Sequence, residues 1–205
     1  MPPAFSAEEK AHISQLLLDS GLRAFTTQGL RKTSIEDLVR PAGIAKSSFY
    51  LFFDSKEALY LELLLRQLRQ VKSRVVDGAL LRGADARDSL RLFLRATIEE
   101  LSNNPLYRRL MTHPEELRAV ARKLDPHRMS ALEDNPVTAL DDFVERHRAE
   151  GALIDADPAV IVGVLRAVLL LPAHADELGK HYPAITDLLI DLVTAGLTPK
   201  QEELG

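Results

Sequence analysis

Apolar residues recur at helical spacing along most of the chain, punctuated by polar caps, and no alternating strand pattern competes with them. Ile13, Leu16, Leu17, Ala24 and Phe25 line one side of a first segment, Ser6 to Thr27, which a Ser6/Glu9 capping box opens and Gly29 stops. Gly21 lies inside it at a propensity cost of about 1 kcal/mol, which predicts close approach of another helix. Two short segments follow, 34–40 and 45–52, separated by Pro41 and Gly43. Thr33 with Glu36 reads as the capping box of the first, and Ile35 and Leu38 give it an apolar face. Asp54, with Glu57 at N3, then opens a helix expected to run to Leu81 along a stripe of Leu59, Leu63, Leu64, Leu68, Val71 and Val75. At about 27 residues it would be about 40 Å long, a mechanical link between a small head and a larger body.

Beyond Gly83 one device repeats. Asn104-Pro105, Asp125-Pro126, Asn135-Pro136 and Asp157-Pro158 each set a favoured N-cap before proline, and His113-Pro114 is a weaker version. The segments expected are 85–103, 105–112, 114–124, 126–134, 136–150, 158–171 and 183–195. An all-α fold follows: a three-helix head over residues 1–54 joined by the long helix to a helical bundle within 55–205.

The head has the grammar of a helix-turn-helix, in which the second short helix enters a major groove. Lys46, Ser47, Ser48 and Tyr50 form its polar side, while Phe49, Phe52 and Phe53 anchor it. Lys46, Ser47 and Ser48 are placed to reach base edges, and Tyr50 to donate its hydroxyl to a phosphate. Thr33 and the amides after it can hold another phosphate, and Lys56 adds charge. Phe25, Ile35, Leu38, Ile44, Phe49 and Phe53 read as head core. The same spacing also suits a small structural or protein-binding unit.

From Ile13 to Leu59 the chain resembles the DNA-binding head of the tetracycline-repressor (TetR) family of transcriptional regulators. The resemblance is carried by RAFTTQG (Arg23 to Gly29), TSIEDLV (Thr33 to Val39), AGIAKSSFYLFF (Ala42 to Phe53) and DSKEAL (Asp54 to Leu59). It implies DNA-contact roles for Lys46, Ser48, Tyr50 and Lys56, pairing of subunits through two C-terminal helices, and a small-molecule cavity in the body. This chain has Ala45 where the family usually starts its recognition helix with a hydroxyl residue. It has Leu51 where a polar or imidazole side chain is common.

Composition narrows the field. The formal charge is −4 over 205 residues, but through Asp54 the basic and acidic residues balance, so the body carries the deficit. Phosphate attraction then depends on local placement, and binding should be salt-sensitive and sequence-dependent. The absence of cysteine excludes disulfides, Cys-ligated zinc and thiol catalysis, and suits a reducing cytoplasm. The opening MPPAFSAEEKAH lacks the pattern of a signal peptide, and Ala159 to Leu171, broken by Arg166, is short of a membrane span. The six histidines make no HExxH pair, and there is no phosphate loop or nucleophile elbow. No cofactor, metal or catalytic residue is expected, and the chain does not read as an enzyme.

Two further sets of residues are marked. Ala159 to Leu171 is apolar nearly all round, and a helix of that kind must be covered on every side. Ile161, Leu165 and Leu169, with Ile185, Leu188, Leu189 and Leu192, are therefore expected at a homodimer interface. A central helix in a monomeric bundle is the plainer alternative. Arg95, Tyr107, His147 and Arg166 are polar groups within apolar segments and are candidates for the wall of an effector cavity. Pairing with Glu99, Asp141 or each other would also account for them. The leading reading is a cytoplasmic homodimer, most simply a repressor, released from an inverted-repeat DNA operator by an unidentified small molecule. A helical protein-interaction module that has lost DNA binding competes with it, supported by Ala45, Leu51 and the neutral head.

Overall fold

The computed structural model describes residues 5–122 and 135–199, and every regular element among them is helical. The order is α1 (Ala7–Lys32), α2 (Ile35–Val39), a 3₁₀ turn (Lys46–Leu51), α3 (Lys56–Lys72) and α4 (Ala86–Asn103). It continues with α5 (Pro105–Thr112), α6 (Pro114–Ala121), α7 (Pro136–Ala149), α8 (Pro158–Val168) and α9 (Tyr182–Leu197). The helix expected at 126–134 lies outside the described residues. The chain forms two compact units, Met1–Gln67 with Pro105–Leu132 and Leu68–Asn104 with Glu133–Gly205.

Several caps fall where the residue pattern puts them. Ser6 and Glu9 form a reciprocal capping box on α1, Asn135 accepts from the amides of Val137 and Thr138, and Asp157 accepts from that of Ala159. His113 makes no side-chain cap, so proline alone sets the start of α6. Others shift by one residue. Ser34, paired with Asp37, caps α2, and the Ser55 hydroxyl accepts from the Ala58 amide at the start of α3. Thr33 does not take that cap position, because the serine after it sits better for the first free amides. Beyond Lys72 the chain winds into a π-helix, Ser73–Leu80, so the long helix is not one uniform rod.

In the first unit, Leu17, Phe25, Leu38, Phe49, Leu59, Tyr60 and Leu64 form a core that also takes in Leu106 of α5 and Val120 of α6. Gly21 lies against Leu59 and Leu63 of α3, where a β-carbon would stand 3.0 and 3.1 Å from their methyl groups, so the close approach expected there is met. In the second unit α4 runs antiparallel to α9, tied by Arg95–Asp187 at 3.0 Å and Arg91–Asp191 at 4.0 Å. Within α8, Ile161, Leu165 and Val168 are buried while Val160, Val164 and Leu170, just beyond its end, are exposed. Pro158–Leu197 is apolar enough overall to be weighed as a membrane span. It is divided, however, into helices of 11 and 16 residues, about 16 and 24 Å against the roughly 30 Å of a bilayer core.

Gly29 kinks α1 before its last residues at φ 82°, ψ 165°, a conformation open essentially to glycine alone, and a β-carbon there would run into the Arg109 guanidinium. Gly29→Ala should therefore destabilise the protein by about 1–3 kcal/mol or more, read as a fall in the urea midpoint. Gly151→Ala, at a positive φ with open space around it, should lose only the backbone part of that amount.

Candidate nucleic-acid interface

The recognition segment is a single six-residue 3₁₀ turn, tighter than the α-helix expected over 45–52. Ala45 precedes it without a side-chain cap, and this chain's lack of a hydroxyl there removes the bond that would start an α-helical turn. Phe49 is fully buried and holds the turn down, its ring 6.0 Å from Phe53 and 5.6 Å from the edge-on Tyr50 ring. Lys46, Ser47, Tyr50 and Leu51 point outward, while Ser48 is half-buried. This is the arrangement a groove-reading surface requires, with four adjacent exposed side chains on an aromatic anchor.

Lys46 does not stand alone. Its ammonium lies 2.7 Å from the Glu36 carboxylate of α2. The hydrogen bond raises the lysine above its ordinary pKa and holds the glutamate below the usual carboxylate range. A phosphate or base acceptor must compete with that carboxylate for Lys46.

Two expected contact residues are placed otherwise. Thr33 is 1% exposed, and its hydroxyl donates to the Gly29 carbonyl at 2.8 Å. It closes α1 from inside and offers no side chain to a phosphate. Lys56 is half-buried, and its ammonium donates to the carbonyls of Leu30 (2.9 Å), Thr33 (2.7 Å) and Arg31 (3.4 Å). Its charge thus sits on the free C-terminal carbonyls of α1, where the helix dipole favours a cation.

Residue patterning did not single out Glu116, which binds the other side of the same junction. Its carboxylate accepts from the Leu30 amide at 3.2 Å, from Tyr60 at 3.1 Å, and from two Arg109 nitrogens at 2.7 and 2.9 Å. Burial alone would raise this carboxyl, but the Arg109 bonds and charge, with Tyr60 and Leu30, outweigh it and leave Glu116 below the usual range. Burial and the adjoining carboxylate push Tyr60 well above an ordinary phenol. The available signal was a charged i,i+7 pair in two short helices, which is common on any surface. Beside the network a cleft of about 580 Å³ is lined by residues including Arg31, Lys32, Lys56 and His113.

Three of the four candidates for an effector wall have partners within the second unit. Arg95 pairs with Asp187, and Arg166 stands 3.9 Å from Asp141, both about half exposed. His147 stacks on Phe143 with ring centres 3.8 Å apart and bonds to its carbonyl. Tyr107 is buried in the first unit, whereas the other three belong to the second. The second unit also holds Thr97 on α4 and Thr186 on α9. Both are buried, and neither hydroxyl has a hydrogen-bond partner among the described residues. The Thr194 hydroxyl on the same helix bonds back to the Ile190 carbonyl at 2.8 Å, as helical threonines commonly do.

Comparison with known proteins bears on the head and on the fold. Residues 17–63 match the family model described as bacterial regulatory proteins, tetR family. The structure of a TetR family transcription regulator from Marinobacter aquaeolei VT8 superposes with a TM-score of 0.74 at 17% identity, over 95% of this chain and all of that one. The head, residues 17–63, belongs to the TetR family. A stretch of 102 residues is 32% identical to the HTH-type transcriptional repressor KstR2 of Rhodococcus jostii, covering 49% of this chain and 48% of that repressor. Several curated relatives are matched, like this one, over half of their length or less. AibR, solved with isovaleryl coenzyme A and operator DNA, shares the fold with a TM-score of 0.69 at 16% identity, over 91% and 98% of the two chains.

The Glu116 network carries a pH signature. A carboxyl held below its unfolded value adds stability above that value, near 4.5, and loses it as pH falls through the folded one. Wild-type protein should lose this contribution on acidification, while Glu116→Gln should lack that part of the acid-side slope in urea titrations from pH 7 to 3. Glu116→Ala leaves the half-buried Arg109 without its carboxylate and should cost about 1–3 kcal/mol at neutral pH. Arg109→Met with Glu116→Leu should cost much less.

Proposed function

We propose that this chain is a homodimeric, ligand-responsive DNA-binding transcriptional regulator, a repressor that leaves an inverted-repeat operator when a small molecule binds its body. The observation that carries the reading is the outward face of Lys46, Ser47, Tyr50 and Leu51 on a turn anchored by buried Phe49. Ser48, half-buried at the base of the turn, supports that face. The repressor named among the relatives and the operator complex among the structural neighbours point the same way. With Thr33 and Lys56 engaged inside the head, charge contacts to DNA rest on Lys46 and on exposed Arg31, Lys32 and Arg40. The effector would engage the second unit, where the unpaired hydroxyls of Thr97 and Thr186 can take up a hydrogen-bonding group that apolar neighbours cannot.

The dimer follows from uncovered apolar area. Leu188 and Leu192 are each 61% exposed, and Ile185, Val160, Val164 and Leu170 add to the same chemistry on α9 and α8. Ile161, Leu165 and Leu169, expected at an interface, are instead turned into the subunit, since α8 buries that side against its own unit. Leu189 is half-buried. A two-fold pair would cover the exposed stripe and set two recognition turns against half-sites separated by whole helical turns.

Capture of genomic fragments by the purified chain, followed by sequencing, tests the regulator reading directly. Recovery of one short inverted repeat is expected, and a protein that retains no fragment in preference to bulk DNA is not an operator-binding regulator. On the recovered operator, Lys46→Ala with Tyr50→Phe should weaken binding by about ten-fold or more. Leu188→Glu with Leu192→Glu should give the light-scattering mass of one chain, where wild-type protein gives that of two. An unmodified protein with the mass of one chain at micromolar concentration would remove the dimer.

A further inference from the structure

Within the first unit, two large apolar side chains among the described residues are exposed, Tyr50 at 53% and Leu51 at 69%. They are neighbours, and both lie on the recognition turn. Leu51 has no part in holding the turn: Phe49 is fully buried, and Phe52 and Phe53 are half-buried beside it. Tyr50 has a hydroxyl to place on a phosphate and an edge-on contact with Phe49 to orient its ring. Leu51 has neither a polar atom nor a partner ring. Its exposure serves nothing in the isolated head.

The major groove presents one apolar feature, the C5-methyl of thymine, and side chains without donors discriminate bases by packing on it. We propose that Leu51 is a specificity-determining residue that packs against the 5-methyl group of a thymine in each operator half-site. The inference rests on the operator-binding reading and sharpens it. Ser47 supplies adjacent polar contact and Lys46 the charge, so the hydrophobic contact reports base identity while its neighbours set register. A polar base edge facing Leu51 would lose water without gaining a hydrogen bond, which sets the direction of the discrimination.

The test replaces thymines with 2′-deoxyuridine, which keeps every hydrogen-bonding group and removes only the methyl. The operator recovered from genomic DNA is synthesised with each half-site thymine changed in turn, symmetrically in both half-sites. Affinities are measured by fluorescence anisotropy for the wild-type chain and for Leu51→Ala, whose thermal unfolding should match wild type because the side chain is exposed. One position should lose affinity by about 4-fold per half-site with wild-type protein, and the same change should leave Leu51→Ala binding unaltered. A wild-type protein indifferent to every uridine overturns the inference while leaving the regulator reading intact. A sensitive position that stays equally sensitive in Leu51→Ala assigns the methyl contact to another residue and overturns it too. A chain that retains no operator at all overturns both.

Discussion

The recognition surface depends on a junction of five residues, Gly29 to Thr33, where α1 ends and the chain turns toward α2. A helix end leaves carbonyls without partners, and the next helix begins with free amides, so such a corner is soft unless other groups take them up. Here the carbonyls of Leu30, Arg31 and Thr33 receive Lys56, that of Gly29 receives Thr33, and the Leu30 amide is held by Glu116. Charge of both signs is used on opposite sides of one turn. The glycine conformation at 29 makes room for the Arg109 guanidinium that keeps Glu116 ionised. The direction in which α2 and the recognition turn leave α1 is thereby set by α3, α5 and α6.

The division of labour among charges in the head follows from this. Lys56 is spent on backbone carbonyls and Lys46 is shared with Glu36, so little unpaired charge faces outward from the reading turn itself. An exposed ion pair contributes little to stability, but it makes Lys46 exchange one anion for another on binding. Random phosphate contact then gains less than it would from a free ammonium. A site where base contacts add to the exchange gains the full amount. A neutral head on an acidic chain is thus compatible with selective binding and opposes indiscriminate coating of nucleic acid.

Helix existence was legible in the residues because caps and apolar spacing are local. The proline-led starts at 136 and 158, the capping box at Ser6 and the close approach at Gly21 all needed only neighbours in sequence. Single-residue placements were less legible: Thr33 and Ser34 are both good caps, and only the buried bond to Gly29 decides between them. The recognition turn was expected as an α-helix because its apolar anchors Phe49 and Phe53 suit that spacing. A start without a hydroxyl cap leaves the tighter winding. The long-range parts were hidden. Glu116 is 86 residues from Leu30, and nothing in the pattern of α6 distinguishes it from Glu115. The inward side of α8 could not be chosen either, because a helix apolar all round has no preferred face until its neighbours are known.

Exposure of large apolar side chains is the common thread between the two units. Among the described residues it is confined in the first to the recognition turn, and in the second it gathers chiefly on and beside α8 and α9. A scattered leucine on a surface needs no explanation, but clustering at two functional elements is harder to reach by chance. The two clusters also differ in kind. The exposed apolar residues on and beside α8 and α9 are more numerous and spread over two helices, which suits a protein surface that excludes water over a large area. The Tyr50–Leu51 pair is small and bordered by serine and lysine, too limited to hold a protein partner by itself but matched in size to the edge of a base. Area separates the two: the larger surface is wide enough to supply the affinity of a pairing, and the smaller one could add only discrimination to a contact held by other groups.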